Sequence, residues 1–151
     1  ICPNSLDQQI NQYMMQLTEH HTFPDPNTRV FIWIGATDFL SANFFQRNLP
    51  DPELVASNIT TAVNNLINHG IRPQNIYVLN LPDLSEIPMT HPCPKNLSEI
   101  TRTFNTKLAN FLNSSTSLLP VHLVNMYSFY QNMIEHPQEY DLNVKTTKTF
   151  I

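Results

Sequence analysis

Three short apolar runs constrain this chain more than any other feature: Arg29-Val-Phe-Ile-Trp-Ile34, Asn75-Ile-Tyr-Val-Leu-Asn80 and Pro120-Val-His-Leu-Val-Asn125. Each has the length of one strand and is rich in β-branched and aromatic residues. The first is apolar almost throughout and ends at Gly35. A run without polar alternation suits a strand covered on both faces, as in a parallel sheet. Parallel neighbours need long crossovers, and the intervening segments carry helical period. Asp51-Pro52-Glu53 opens one helix, with proline in its first turn and acids at the positive end of the dipole. Leu54, Ile59, Val63, Leu66 and Ile67 form its apolar stripe, and Gly70 ends it where a left-handed residue is wanted. A second helix starts at Asn96 or Ser98 and runs through Phe111 and Leu112; a last one covers Met126 to His136. Ahead of the first strand, Leu6, Ile10, Tyr13, Met14 and Leu17 lie at helical spacing, with Asn4 or Ser5 available as the cap. The stretch His20 to Thr28, with two prolines, reads as a loop. Strands alternating with helices predict right-handed βαβ units and an α/β fold.

With 151 residues, 41% of them apolar, the chain fits one domain (1–151) with an ordinary core. Only 13% are charged and the net charge is −4, which argues against nucleic acid as a partner and against a polybasic membrane-surface role, since both engage phosphates through clustered Lys and Arg. No stretch approaches 18 consecutive apolar residues, so no spanning helix is expected. The start, Ile1-Cys2-Pro3-Asn4, has neither Met nor a basic-then-apolar leader, and is expected to be the cut end of something longer. The two cysteines, Cys2 and Cys93, are too few for a disulfide framework. Pairing with each other, pairing outside this chain and staying reduced are all left open.

In open α/β sheets, ligands bind beyond the carboxyl ends of the strands, which draws attention to two places. Gly35-Ala36-Thr37-Asp38-Phe39-Leu40 follows the first run directly. Because the chain has only two glycines, where about 7% is ordinary, a glycine here suggests a strained turn or a close backbone approach. Thr37 offers a hydroxyl at the rim with Asp38 beside it; the plainer reading makes one of them the cap of the next helix. Leu79-Asn80-Leu81-Pro82-Asp83-Leu84-Ser85-Glu86-Ile87-Pro88 follows the second run, a proline-stiffened loop bordering the same cleft. Its acids, Asp83 and Glu86, are expected to be solvated.

Trp33-Ile34-Gly35-Ala36-Thr37-Asp38 resembles the third motif block, G-x-N-D after an apolar strand, of the GDSL or SGNH lipolytic hydrolases. Ser5-Leu6-Asp7-Gln8-Gln9-Ile10 with Tyr13 resembles the helix before that strand, and Asp25-Pro26-Asn27-Thr28 its lead-in. Val78-Leu79-Asn80-Leu81-Pro82 to Pro88 resembles the next strand and its loop, and Tyr127 to Tyr140 the helix and N-P-x-x-Y-G-F stretch before the catalytic end. The match spans nearly the whole chain and is closest to bacterial secreted phospholipase A, lysophospholipase and glycerophospholipid acyltransferase members. The resemblance implies a flavodoxin-like α/β/α sandwich, a secreted protein and a Ser-His-Asp esterase needing neither cofactor nor metal. Its substrate would be a fatty-acyl ester such as a phospholipid or lysophospholipid, with water or an alcohol as acceptor and transient membrane-surface contact. Gly35 would be the motif glycine, Thr37 would stand at the oxyanion-hole Asn position, and Asp38 would brace the loop. Phe39, Leu40 and Pro82 would border the substrate, and Phe39, Leu40, Phe44 and Phe45 are candidates for an apolar rim, the plainer reading of these four being helix packing against the sheet.

The sequence departs from that pattern in three places. Thr37 replaces an amide donor with a shorter hydroxyl donor; losing one oxyanion donor costs on the order of 10²–10³ in turnover. No G-D-S-L follows an apolar strand, and no D-x-x-H follows Tyr140. The nucleophile and base are therefore expected on segments missing here or on a companion chain, and three inner strands with open edges are not expected to be stable alone. Asn4-Ser5-Leu6-Asp7 superficially echoes G-D-S-L, but a helix stripe runs straight through it, so Ser5 reads as a helix start. The six histidines, His20, His21, His69, His91, His122 and His136, read as structural or solvated, and His91 with Cys93 makes too small a ligand set for a metal. Two other readings stand beside the esterase: an α/β binding module that has lost the triad, and an esterase for acetylated carbohydrate.

Overall fold

The computed structural model describes residues 5–87, 96–114, 118 and 120–142. Its elements follow in the order α1 (Leu6–Glu19), β1 (Val30–Ile32), α2 (Ala36–Phe44), α3 (Pro52–Asn68), β2 (Ile76–Leu79), α4 (Leu97–Ser114), β3 (His122–Val124) and α5 (Met126–Glu135). Short 3-10 turns at Pro73–Asn75, Leu84–Glu86 and Pro137–Tyr140 join them. This is the α/β architecture expected, with both strand pairings parallel and the strands in chain order β1-β2-β3. Val30 pairs with Ile76 and Ile32 with Val78; Tyr77 pairs with His122 and Leu79 with Val124. The first apolar run pairs over only half its length, because Trp33 and Ile34 leave the ladder to reach the turn at Gly35.

Parallel strands in chain order, joined by right-handed crossovers, put both connecting helices on one face of the sheet. Accordingly α3 and α4 pack on each other, and α1 packs on α3. Ile32, Ile76 and Val78 of the sheet meet Ile59, Val63 and Leu66 of α3 and Phe104 and Leu108 of α4 in one buried cluster. The stripe of α3 is Val55, Ala56, Ile59, Ala62, Val63 and Leu66. Leu54, expected in it, is 58% exposed, because one step along a helix turns the side chain about 100°. Past His69 the helix closes in a Schellman turn: Ile71 N–H donates to Leu66 O at 3.1 Å, Gly70 N–H to Ile67 O at 3.0 Å, and Gly70 sits at φ 97°.

The opposite face corrects one expectation. Phe31, Tyr77 and His122 stand in register across the three strands with their rings stacked, at 4.8 and 4.6 Å between centroids. Phe31 is 67% and Trp33 57% exposed, so among the described residues the first strand is covered on one face only. No described helix is long and apolar enough to cross a membrane.

Candidate functional site

Gly35 fixes the geometry at the end of β1. It occupies φ 109°, where a side chain is strained, and an added Cβ would lie 3.3 Å from Phe104 Cζ and 3.6 Å from Val55 Cγ1. The chain thus turns out of the sheet tight against α3 and α4. Gly35 also takes the N-cap position of α2, where it has no side chain to bond the first turn. Thr37 and Asp38 are therefore not caps but lie inside the first turn. Both are exposed, and neither side chain bonds to any described residue, so the bracing contact expected of Asp38 is not made within these segments.

A cavity of about 350 Å³ opens beside them. Ser5, Asp7 and Gln9 of the α1 start, Gly35, Thr37 and Asp38 of the turn, and Asn58 of α3 are its polar and backbone lining. The first turn of α2 carries the partial positive charge of the helix dipole, and its leading N–H groups have no intrahelical acceptor. With the Thr37 hydroxyl, this arrangement can donate to an oxygen that becomes negative in the cavity. Ser5 is occupied otherwise: its Oγ accepts from Gln8 N–H at 3.3 Å and its N–H donates to Gln8 Oε1 at 2.9 Å, a complete capping box. Among the described residues, no histidine lines the cavity.

The end of β2 is the opposite case. Asn80 N–H donates to Val124 O at 3.1 Å, Asn80 Nδ2 to Asn125 Oδ1 at 3.2 Å, and Asn80 Oδ1 accepts from Tyr127 N–H at 2.9 Å. Asn105 of α4 holds the Leu81 backbone on both sides, accepting its N–H at 2.9 Å and donating to its carbonyl at 2.8 Å. Asp83, expected in solvent, is 5% exposed. Ser98 Oγ and Ser85 Oγ each donate to it at 2.7 Å, Ser85 N–H at 3.0 Å and Tyr127 OH at 3.4 Å. Burial pushes its carboxyl pKa up, but the hydrogen bonds from Ser98, Ser85 and Tyr127 more than offset that and leave it below the ordinary carboxylate value. Burial, and then the negative charge of Asp83, raise the pKa of Tyr127. The sequence holds a partial signal for this: Asp83-Leu84-Ser85 is a cap-and-turn spelling, and Asp83 caps the 3-10 turn that follows. Ser98 and Tyr127 come from distant positions and have no such local signal.

Three of the expected substrate contacts are relocated. Phe39 is fully buried, edge-on to Phe104 at 5.8 Å between ring centroids, and belongs to the core rather than the rim. Leu40 is half-buried against the same core, and Pro82 is buried. Phe44 and Phe45 remain on the surface. Glu86 is exposed, as expected. His69 Nδ1 bonds to Asn65 O at 2.8 Å and His122 Nε2 to Gln74 O at 3.0 Å, both anchoring contacts, while His20, His21 and His136 are exposed. Cys2, Pro88, His91 and Cys93 lie outside the described residues. Among those described, no three His, Cys, Asp or Glu side chains gather as metal ligands.

Comparison with known proteins adds two findings. The profile of a family described as GDSL-like lipase/acylhydrolase matches residues 4–143. Phosphatidylcholine-sterol acyltransferase of Aeromonas hydrophila is 26% identical over 145 residues, an alignment covering 93% of this chain. The chain spans 40% of that relative's length.

Proposed function

This chain belongs to the GDSL-like lipase/acylhydrolase family, and from that premise we propose that it contributes the oxyanion side of a serine esterase or acyltransferase acting on fatty-acyl esters of the phospholipid or lysophospholipid class. The observation that carries this reading is the Thr37 hydroxyl, unbonded to any described residue, in the first turn of α2 over the cavity. In the proposed reaction a serine from another segment of the protein attacks the acyl carbonyl, and a histidine takes its proton. Negative charge develops on the carbonyl oxygen as the tetrahedral intermediate forms. The first-turn N–H groups of α2 and the Thr37 Oγ–H donate to it. Collapse expels the alcohol, and water or a second alcohol then takes the acyl group. Gly35 permits the close turn that aims these donors, and the Asp38 carboxylate, unbonded to any described residue, would take a bracing partner from the segment that supplies the serine or the histidine.

The test uses the full-length protein and a soluble short-chain nitrophenyl ester. Turnover that a serine-directed phosphonate abolishes, and that Thr37→Ala lowers by on the order of 10-fold or more with little change in KM, supports the reading. Thr37→Asn, which restores an amide donor, is expected to equal or exceed the parent. Absence of both turnover and phosphonate labelling favours the second reading, a binding module. The capping role of the Ser5 hydroxyl and the lack of a histidine among the described residues lining the cavity are the observations that keep it standing.

A further inference from the structure

We propose that Asn58 of α3 donates from its side-chain amide to the same carbonyl oxygen as Thr37, supplying the amide donor that the turn at Gly35 lacks; this rests on the esterase reading above. The packing of α3 against the end of β1 carries the placement. Val55 Cγ1 lies 3.6 Å from where a Cβ on Gly35 would stand, so this turn of α3 sits directly against the glycine. Asn58 follows Val55 by three residues, about 4.5 Å along the axis at about 1.5 Å per residue, and positions three apart share a face. Val55, Asn58 and the next residue, Ile59, all line the cavity with Thr37. Helical side chains lean toward the N-terminus of their helix, which carries the Asn58 amide back toward Val55 and Gly35.

The rest of the polar lining is unsuited to the task. Ser5 is fixed to its own helix by the capping box with Gln8, and Gln9 is engaged. Asp7 and Asp38, once ionised, can only accept, and each would repel a carbonyl oxygen that is becoming negative. Thr37 and Asn58 are the lining side chains that carry a donor and bond to no described residue, and both are exposed. Asparagine is also less favourable than alanine inside a helix. Thr60 and Thr61, further along α3, donate their hydroxyls to the carbonyls of Ala56 and Ser57 at 3.0 Å. Asn58 makes no such bond, so within the described structure it costs the helix stability and returns none.

The experiment measures kcat and KM of the full-length protein on the soluble nitrophenyl ester, together with thermal midpoints. Asn58→Ala is expected to lower kcat on the order of 10²-fold at near-constant KM, and Asn58→Asp, of equal size without the donor, at least as far. The midpoint should hold or rise, alanine being the better helix former. Adding Thr37→Asn to Asn58→Ala should recover on the order of 10-fold, a larger gain than the same change gives in the parent, because only the Asn58→Ala background is short of an amide. A kcat that Thr37→Ala lowers and Asn58→Ala leaves unchanged overturns this proposal while the esterase reading stands. So does a loss in Asn58→Ala that comes with a lower midpoint and that Thr37→Asn does not recover, which marks a structural role. A parent that neither turns over ester nor takes up a serine-directed phosphonate overturns the esterase reading itself, and this inference with it.

Discussion

At the end of β1, Thr37 and Asp38 are exposed and bond to no described side chain; at the end of β2, Asn80, Leu81 and Asp83 are tied to α4, β3 and α5 by a dense set of hydrogen bonds. The two turns belong to adjacent parallel strands. The first is held by shape alone, a glycine wedged against Phe104 and Val55. The second is held by polar groups that folding has already satisfied. A group that must meet a developing charge needs free hydrogen-bonding capacity, whereas a group that fixes a loop needs its capacity used up. The contrast agrees with the chemistry proposed for the first turn and gives the second a structural task.

The largest effect should come from Gly35→Val. The left-handed backbone penalty and the crowding of Phe104 add to a destabilisation on the order of 3 kcal/mol, measured by urea unfolding of the full-length protein. A loss below about 1 kcal/mol would show that the turn relaxes easily and is not shape-determined. Next comes Asp83→Asn, expected to cost about 1.5–3 kcal/mol near neutral pH through its buried, charge-assisted hydrogen bonds. Its pKa is lower folded than unfolded. Between those two values the unfolded chain binds more protons, so the Asp83 contribution is full above the ordinary carboxylate range and is lost as pH falls through the depressed folded value. The gap between parent and Asp83→Asn should therefore narrow on acidification. A gap independent of pH would remove the carboxylate from the account.

Asn105→Ala should cost about 1–2 kcal/mol, since it leaves both Leu81 backbone groups without their side-chain partner. The faster exchange of the Leu81 amide in deuterium would report it directly. Thr37→Ala should stay within about 0.5 kcal/mol of the parent in stability, because the hydroxyl contacts nothing described. If Thr37→Ala destabilised the protein as much as Asn105→Ala, the distinction between the two turns would collapse.

The order of strands and helices was legible because a parallel sheet writes itself as apolar runs between helical stripes, and because Asp51-Pro52 and Gly70 mark the ends of α3. Gly35 stood out for the same kind of reason: a scarce residue placed straight after a strand. Asp83 did not, since an acid in a proline-flanked loop looks solvated until Ser98 and Tyr127 arrive from 15 and 44 positions away. Phe39 carried two readings, rim and helix packing, because a short helix of mixed pattern does not announce which side faces Phe104; the packing one holds. Local spelling identifies caps and turns; partners brought in by topology carry no mark in the sequence beside them.

Both glycines of the chain occupy left-handed positions, yet His21, Gln46 and Asp141 adopt the same backbone region without one. Each of these three stores a conformational penalty of roughly 1 kcal/mol. The scaffold thus keeps thermal headroom in reserve at three loop sites outside the cavity lining. Exchanging Gln46 for asparagine, which tolerates that geometry, would draw on this reserve while leaving every atom around the cavity at Gly35 in place.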